Sequence, residues 1–364
     1  MNLYGDKEQY NTFAQWYLHN MSINLFPVCI LPEQNDCRDF KIAMQEMHTF
    51  FKNLYEDMYN YPEKYSIPEE IYPDELRFNK KRLNAASIVR NVILDFLYNI
   101  GQAGWYEADV LKIEPQVYEK LVKDKSKKVK FQSFLDALQQ LGLSIAVEEN
   151  DVYISSMKYP RMPQALSLLS KACSQYGSKG LYHFQRCDFR VLEQKFTLDL
   201  NDVLRILPEP LRKDLAETDR FIIKYKYKRK IEPYNDFGYR IVYSNKAGVV
   251  CYCHVNAYFD KKIYMYIRWV LNTEQSTRLF NIVDNESAEF ADKIFDSICK
   301  CDPKCVPGFN ALTPEECIAR IKVERNGRTI YVCKDARWDK FSSISQDFDY
   351  VKRVLKAISQ VLYE

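Results

Sequence analysis

The sequence predicts an α+β protein, with helices in the N-terminal half and an antiparallel sheet packed with helices in the C-terminal half. Two observations support this fold class. Apolar residues recur at three- and four-residue spacing through several segments of the first half, which is the pattern of buried helical stripes. From about residue 221, short segments that alternate apolar and polar residues are separated by turn residues, which is typical of antiparallel strands.

We divide the chain into a helical N-terminal region (1–75), a helix-plus-hairpin unit of winged-helix-like order (76–187), and a sheet with helices and a cysteine cluster (188–364). The 364 residues and 47% hydrophobic content provide material for more than one core. The 52 basic and 49 acidic residues nearly balance, so the chain as a whole does not attract a polyanion. Nucleic-acid binding would therefore need a local cluster of cations.

The residues of the N-terminus, Met1 to Glu8, lack the basic start and apolar core of a signal peptide. The most apolar helical segment, Ala85 to Ile100, contains Arg90 and Asp95 and is too short to span a bilayer. Eleven cysteines in such a chain fit reduced thiols or metal ligands better than a disulfide framework. We therefore expect a cytoplasmic protein without a membrane partner.

The first two regions contain segments with helical periodicity. The clearest, Phe40 to Tyr59, presents Met44, Met47, Phe51 and Leu54 on one face. In the second region, a short hairpin is predicted over Ser144 to Ser155 with its turn at Glu149 to Asp151. The segments of the second region predicted to be helical are 85–99, 114–122, 128–141 and 162–172. Helices followed by a helix and a hairpin have the order of a winged helix.

A basic loop at 123–128 precedes the helix that would read DNA, and its candidate nucleic-acid contacts are Lys125, Lys127 and Lys128. The exposed positions of that helix carry Asp136 and glutamines, and the hairpin tip is acidic, which opposes binding to phosphates. A purely structural helix-hairpin module is the favoured interpretation, and a nucleic-acid-associated regulator is the alternative.

In the third region, strands are predicted at 221–229, 238–244, 248–259 and 263–270. Period-two alternation on the last two assigns Cys251, Cys253 and Met265 to the core face. The opposite face carries tyrosines with a few polar groups, a mixture expected of a ligand pocket or a single-stranded nucleic-acid platform. The candidate ligand-binding residues of this face are Tyr252, His254, Asn256, Tyr258, Tyr264, Tyr266 and Arg268.

We predict that this aromatic face belongs to a non-catalytic binding or regulatory protein, with a small molecule or a protein as its partner. The alternative is an enzyme that acts through His254, Arg268 and the tyrosines. The first predicted strand adds Lys224, Lys226 and Lys228 on one of its faces, as further candidate nucleic-acid contacts. Protection of an edge strand by lysine is the favoured interpretation of these three residues.

A cysteine cluster near the C-terminus is a candidate zinc site. Its four ligands would be Cys299, Cys301, Cys305 and Cys333. The spacing is not the paired C-x2-C pattern of most structural zinc sites, so reduced, partly buried thiols are the alternative. The turn Asn326-Gly327 predicts a two-residue hairpin whose register sets Arg320 opposite Cys333.

The segment from Asp151 to Leu168 and the two C-terminal segments 327–333 and 346–349 resemble uncharacterised cytosolic proteins of Gram-positive gut bacteria. The resemblance covers residues 76–364. It implies a bacterial origin and a shared cysteine-bearing C-terminal module, and it implies no reaction or substrate.

Overall fold

The protein is described from a computed structural model, which covers residues 10–28, 38–69, 84–148, 150–193, 196–207, 209–234, 237–246, 250–255, 263–268, 273–297, 320–333, 339–343 and 346–363. The chain divides into two compact units, Met1–Thr197 and Leu198–Glu364. Helices pack with antiparallel sheets in each unit, so the predicted α+β class is confirmed. Helices from the predicted regions 1–75 and 76–187 lie together in the first unit. None of the helices in these ranges is both long and apolar enough to cross a membrane.

The first unit is mainly helical, with one small sheet. Its elements are α1 (Phe13–Ile23), α2 (Arg38–Asn60), α3 (Asn84–Ile88), a π-helical segment (Val89–Leu94), α4 (Asp95–Ala103), β1 (Trp105–Glu107), β2 (Val110–Ile113), α5 (Pro115–Ser126), α6 (Phe131–Gln140), β3 (Ser144–Val147), β4 (Val152–Ser155), α7 (Met162–Ser174) and α8 (Gly180–Phe184).

Helix α7 is central to the core of the first unit, because it packs against both α2 and α4. The approach to α4 is close at Gly101, where an added Cβ would lie 2.7 Å from the Leu166 carbonyl oxygen of α7. Aromatic rings fill the space beside α2, where Phe51 and Phe184 meet edge to face at 5.3 Å. These contacts explain the helical stripe of the 40–59 segment, whose predicted helix is confirmed.

Between α4 and α7 the chain forms the strands β1 and β2, the helices α5 and α6, and the hairpin of β3 and β4, in that order. The sheet has the order β1-β2-β4-β3, so β2 pairs with β4 across the hairpin that α5 and α6 precede. The hairpin predicted at 144–155 is confirmed. The predicted basic loop at 123–128 is wrong, since α5 continues to Ser126 and carries Tyr118 and Lys125 on its buried side.

The second unit is built on a five-stranded antiparallel sheet of order β11-β8-β7-β6-β5. Its elements are α9 (Leu200–Leu204), α10 (Glu209–Lys224), β5 (Lys228–Tyr234), β6 (Gly238–Ser244), β7 (Val250–Val255), β8 (Ile263–Arg268), α11 (Thr273–Glu286), α12 (Ala288–Ser297), β9 (Arg320–Arg325), β10 (Arg328–Cys333), β11 (Asp339–Ser343) and α13 (Gln346–Tyr363).

The strand predicted at 221–229 is wrong, because α10 extends through most of it. Leu215, Thr218, Asp219 and Ile222 are buried at helical spacing, and this stripe continues the helix to Lys224. The chain then turns at Lys226, whose φ of 64° is left-handed, and enters β5 at Lys228. Strand β5 lies at an edge of the sheet among the described strands, but of the three lysines only Lys228 belongs to it, so edge protection can apply to Lys228 alone.

The hairpin of β9 and β10 turns at Asn326 and Gly327 as predicted, and Cys333 pairs with Arg320. Arg325 fixes the hairpin to two helices. Its side chain is only 3% exposed, and it donates to Asp284 of α11 and, at 2.9 Å, to Asp292 of α12. It also donates to the Ala288 carbonyl oxygen at 3.1 Å. One buried guanidinium therefore joins the hairpin to both helices, and the exposed Arg328 adds an ion pair to Asp296 of α12.

Candidate functional site

The five-stranded sheet of the second unit has a packed face and a second face that we call the open face. On the packed face, Ile241, Tyr243, Cys251 and Cys253 are fully buried. Helix α10 is tied to this face through Asp219, which accepts from the Tyr243 hydroxyl at 2.8 Å and from the Arg229 guanidinium at 2.7 Å. The open face comprises the alternate positions, which begin at Lys228 on β5 and Arg240 on β6.

Strand register arranges the open-face positions in three rows across the sheet. Directly paired positions of antiparallel strands lie on one face of the sheet. The pairings therefore bring the predicted aromatic positions together with cationic positions from the other strands. The rows are Lys228–Ser244–Val250–Arg268, then Lys230–Val242–Tyr252–Tyr266–Lys340, then Glu232–Arg240–His254–Tyr264–Ser342.

An ion-pair network lies on the β5–β6 side of the open face. The Arg240 guanidinium donates to Glu232 at 2.5 Å, and the Lys230 ammonium lies 2.8 Å from the other carboxylate oxygen. Hydrogen bonds from Arg240 and then Lys230 lower the pKa of Glu232 to about 2. The Arg240 side chain is 34% exposed and that of Lys230 is 75% exposed, so solvent reaches this part of the face. Two described cations, Arg240 and Lys230, therefore flank this carboxylate, while Lys228 lies two rows away on the same face.

Of the predicted ligand-binding residues, five fall on described strand positions. The backbone pairings set His254 opposite both Arg240 and Tyr264, and Tyr252 opposite Tyr266, while Arg268 pairs with Val250. Asn256 and Tyr258 lie outside the described residues. Sequence reasoning did not include the contribution of β6 and β11 to this face, because the register of these strands is not visible in local alternation.

The predicted core role of Cys251 and Cys253 fits their environment. Both are fully buried on the packed face, and burial raises the pKa of the Cys251 thiol to about 12. A metal ligand or nucleophile needs the thiolate form, which this environment disfavours. These cysteines therefore pack the core, while the backbone position of His254 alternates with theirs.

The predicted lysine contacts divide between exposed and buried positions. Lys224, Lys226 and Lys228 are exposed, but they belong to a helix end, a turn and an edge strand, and they do not share one strand face. In the first unit, Lys127 and Lys128 are exposed in the turn before α6. These exposed side chains can reach an anion.

The nucleic-acid assignment of Lys125 is wrong. Its ammonium group is directed into the first unit, where it donates to Asp95 and, at 3.0 Å, to the Asn91 carbonyl oxygen of the π-helical segment. The side chain is 11% exposed. Its charge is neutralised by Asp95, so it does not present a free cation to a phosphate.

The candidate zinc site lies mainly outside the described residues. This applies to Cys299, Cys301 and Cys305, while Cys333 is described only as a backbone position at the end of β10. Within the described part of the chain, no group of three or more potential metal-ligating side chains is close enough to hold an ion. The zinc site at the four cysteines stays a prediction.

A buried polar cluster in the first unit was not found by sequence reasoning. The His183 imidazole lies 3.0 Å from the carboxylate of Asp188, which also accepts from the Arg190 guanidinium at 2.7 Å. Burial alone would raise the pKa of Asp188, but the hydrogen bonds from His183 and Arg190 outweigh it and lower the pKa. The only sequence signal is the short separation of the three residues.

This cluster resembles a catalytic triad in composition but not in environment. His183 and Asp188 are 2% and 0% exposed, so a substrate has no path to the pair in this structure. The nearby thiol of Cys187 is also fully buried, and burial raises its pKa well above the usual value. The cluster is therefore a buried hydrogen-bonded ion-pair network with a protonated thiol beside it.

Comparison of the chain with protein-family models, with curated proteins and with solved structures finds no match. The resemblance to proteins of Gram-positive gut bacteria therefore stays a prediction, and so do the function and the partner.

Proposed function

We propose that this protein is a non-catalytic binding protein whose ligand surface is the open face of the five-stranded sheet. The observation that carries the proposal is the register, which brings tyrosine positions from β7 and β8 into the same rows as Lys228, Lys230 and Arg240. Aromatic rings bordered by cations suit a ligand that has both a ring and a negative charge.

The described chemistry of the face favours binding over catalysis. The one described carboxylate, Glu232, has a pKa of about 2, so it remains ionised and is a poor proton acceptor near neutral pH. His254 is the only histidine of the open-face rows, and its directly paired positions are Arg240 and Tyr264, neither of which is a carboxylate that could orient an imidazole as a base. The eleven cysteines support the cytoplasm as the location.

The test uses anilinonaphthalene sulfonate, a fluorescent probe that combines an aromatic ring system with one negative charge. We expect the folded protein to bind the probe, and the double variant Tyr252→Thr/Tyr266→Thr to bind it more weakly. Threonine keeps the preference for strand structure. The matched control is Tyr61→Thr/Tyr331→Thr, which removes two tyrosines from other surfaces.

Equal probe binding by the face variant and the control would contradict the proposal. Far-UV circular dichroism establishes that both variants are folded. If the tyrosine variant does not fold, Lys228→Gln/Lys230→Gln serves in its place, because both of these side chains are exposed.

The first unit supports a second candidate function, a nucleic-acid-associated regulator. The sheet order β2-β4-β3, with α5 and α6 between β2 and β3, is consistent with the element order of a winged helix, which supports this candidate. In that interpretation α6 is the recognition helix, and the exposed Lys127 and Lys128 stand at its N-terminal side. The hairpin end carries Glu148 and Asp151, which would repel a duplex at the wing.

Duplex DNA binding tests this second function. Lys127→Gln/Lys128→Gln should weaken binding and lower its dependence on salt, because each lost phosphate contact changes the salt slope by about 0.9. The exposed pair Lys41→Gln/Lys171→Gln, on α2 and α7, is a control of equal charge change. No binding to duplex DNA at low salt would reject this function for the first unit.

A further inference from the structure

We infer that the ligand of the open face is single-stranded nucleic acid, bound without strong sequence preference. This inference rests on the proposed function of the face and names its ligand class. Proteins of this kind combine a cationic track for the backbone with aromatic side chains on which successive bases stack. The second unit places both components on one sheet face.

The cationic part of the surface starts at the corner where α10 leads into β5. Lys224 at the end of the helix, Lys226 in the turn and Lys228 at the start of the strand are all exposed. Because β5 is an edge strand among the described strands, this corner borders the open face directly. Lys228 and Lys230 occupy the β5 positions of two adjacent rows, so the corner continues onto the face itself.

The aromatic part follows across the sheet. Tyr252 and Tyr266 are paired neighbours in the row of Lys230, and Tyr264 lies in the next row, opposite His254. Neighbouring strands are about 4.8 Å apart, so Lys230 and Tyr252 positions are separated by two strand spacings, about 10 Å. The open face therefore has more than one tyrosine position and more than one cationic position. Together they span an area larger than one nucleotide covers.

The far side of the sheet repeats the pattern of charge. Strand β11 brings Lys340 opposite Tyr266, and the row of Lys228 ends at Arg268. In the middle row, the positions of Tyr252 and Tyr266 thus lie between the cationic positions of Lys230 and Lys340. The single acidic position, Glu232, is already paired with Arg240 and Lys230, so its repulsion of a phosphate is reduced.

A single strand fits this arrangement better than a duplex does. The bases of a duplex are stacked on each other and their faces are not available to tyrosine rings, whereas the bases of a single strand can be separated and stacked. A face of aromatic positions with cations at its margins is consequently suited to unpaired bases with the phosphates outside. The whole chain need not be basic, because the cations are local.

The test is fluorescence anisotropy with a labelled oligothymidylate of about 16 nucleotides, a length that covers the usual site of one such surface. The full chain should bind this probe with an affinity that falls as salt rises. In Lys228→Gln/Lys230→Gln the salt slope should decrease in magnitude by about 1.4, since each lost phosphate contact on a single strand contributes about 0.7.

The matched control is Lys213→Gln/Lys356→Gln, which removes two exposed lysines of α10 and α13 and should leave the slope unchanged. The tyrosine variant Tyr252→Thr/Tyr266→Thr should weaken binding at every salt concentration, because stacking depends little on salt. An equal slope for the face variant and the control would overturn the inference. So would binding of thymidine monophosphate that is as tight as binding of the oligonucleotide.

The dye experiment separates failure of this inference from failure of the proposed function. If the tyrosine variant loses dye binding but the oligonucleotide does not bind, the open face is a binding surface and its ligand is not a single strand. If neither probe depends on the open-face residues, both proposals are wrong.

Discussion

Asp219 holds α10 against the sheet that forms the candidate site, and its replacement by asparagine should destabilise the second unit. The carboxylate is 6% exposed and accepts from Tyr243 and Arg229 through its two oxygens. Asparagine keeps a neutral acceptor for the Tyr243 hydroxyl but turns an amide donor toward Arg229. The loss of charge therefore weakens two hydrogen bonds in one step.

The magnitude follows from the exposure of the two donors. Arg229 is 31% exposed and can turn to water, so loss of its ion pair costs about 1 kcal/mol. Tyr243 is fully buried, and exchange of a charged for a neutral acceptor costs about 1 kcal/mol more. Asp219→Ala leaves that hydroxyl without its acceptor, which raises the total to about 3–4 kcal/mol.

Scanning calorimetry of the full chain measures this effect as a shift of the second unit's transition. A loss of about 2 kcal/mol corresponds to about 4–8 °C for a unit of this size. Hydrogen exchange of peptides from α10, β5 and β6 should increase at the same time. The control is Glu217→Gln, an equal charge change at an exposed position of the same helix. Identical melting of Asp219→Asn and this control would refute the role of Asp219.

Three further predictions concern other parts of the chain. Arg325→Met should destabilise the second unit by about 2–4 kcal/mol in urea unfolding, because the hairpin loses the bonds that its buried guanidinium makes to both helices. A change below about 0.5 kcal/mol would contradict this. Gly101→Ala should lower the melting temperature, because the added methyl group collides with α7. This overpacking costs about 1–3 kcal/mol, which exceeds the gain of about 1 kcal/mol in helix propensity. A stabilised variant would refute the close contact between α4 and α7. Glu232 has a folded pKa of about 2, below its unfolded value of about 4.5, so its contribution to stability is complete above about pH 4.5 and disappears as pH falls toward 2. Melting temperatures across this range should fall less steeply for Glu232→Gln, and parallel curves would count against the ion-pair network.

Local sequence patterns predict strands of the five-stranded sheet, but they do not predict the end of helix α10, which precedes it. Alternation in β7 predicts the packed face correctly, since Cys251, Cys253 and Val255 are buried. Burial of one sheet face imposes a period of two on a strand. The lysine-tyrosine alternation after residue 221 has the same period, yet its first part is helical. There the stripe that starts at Leu215 decides the structure, since burial of α10 outweighs local strand preference.

Contacts between distant segments could not be predicted from local patterns. From the sequence, Lys125 is predicted to be a loop cation. In the fold it pairs with Asp95, which lies thirty positions away in the chain. Likewise Arg325 is an ordinary strand cation in the sequence, and only the packing of α11 and α12 makes it a buried anchor. The register of β5 with β6 also decides whether the lysines of β5 share rows with the tyrosine positions of the open face.

The most direct test of the open face is hydroxyl-radical footprinting of the full chain, with and without the bound oligothymidylate or the dye. Mass spectrometry then gives the oxidation rate of each tyrosine. We expect a probe to protect Tyr252, Tyr264 and Tyr266, while Tyr331 on the β9–β10 hairpin is oxidised at an unchanged rate. Unchanged oxidation of the three tyrosines with a probe bound, or protection confined to the first unit, would contradict the assignment of the binding surface to the sheet.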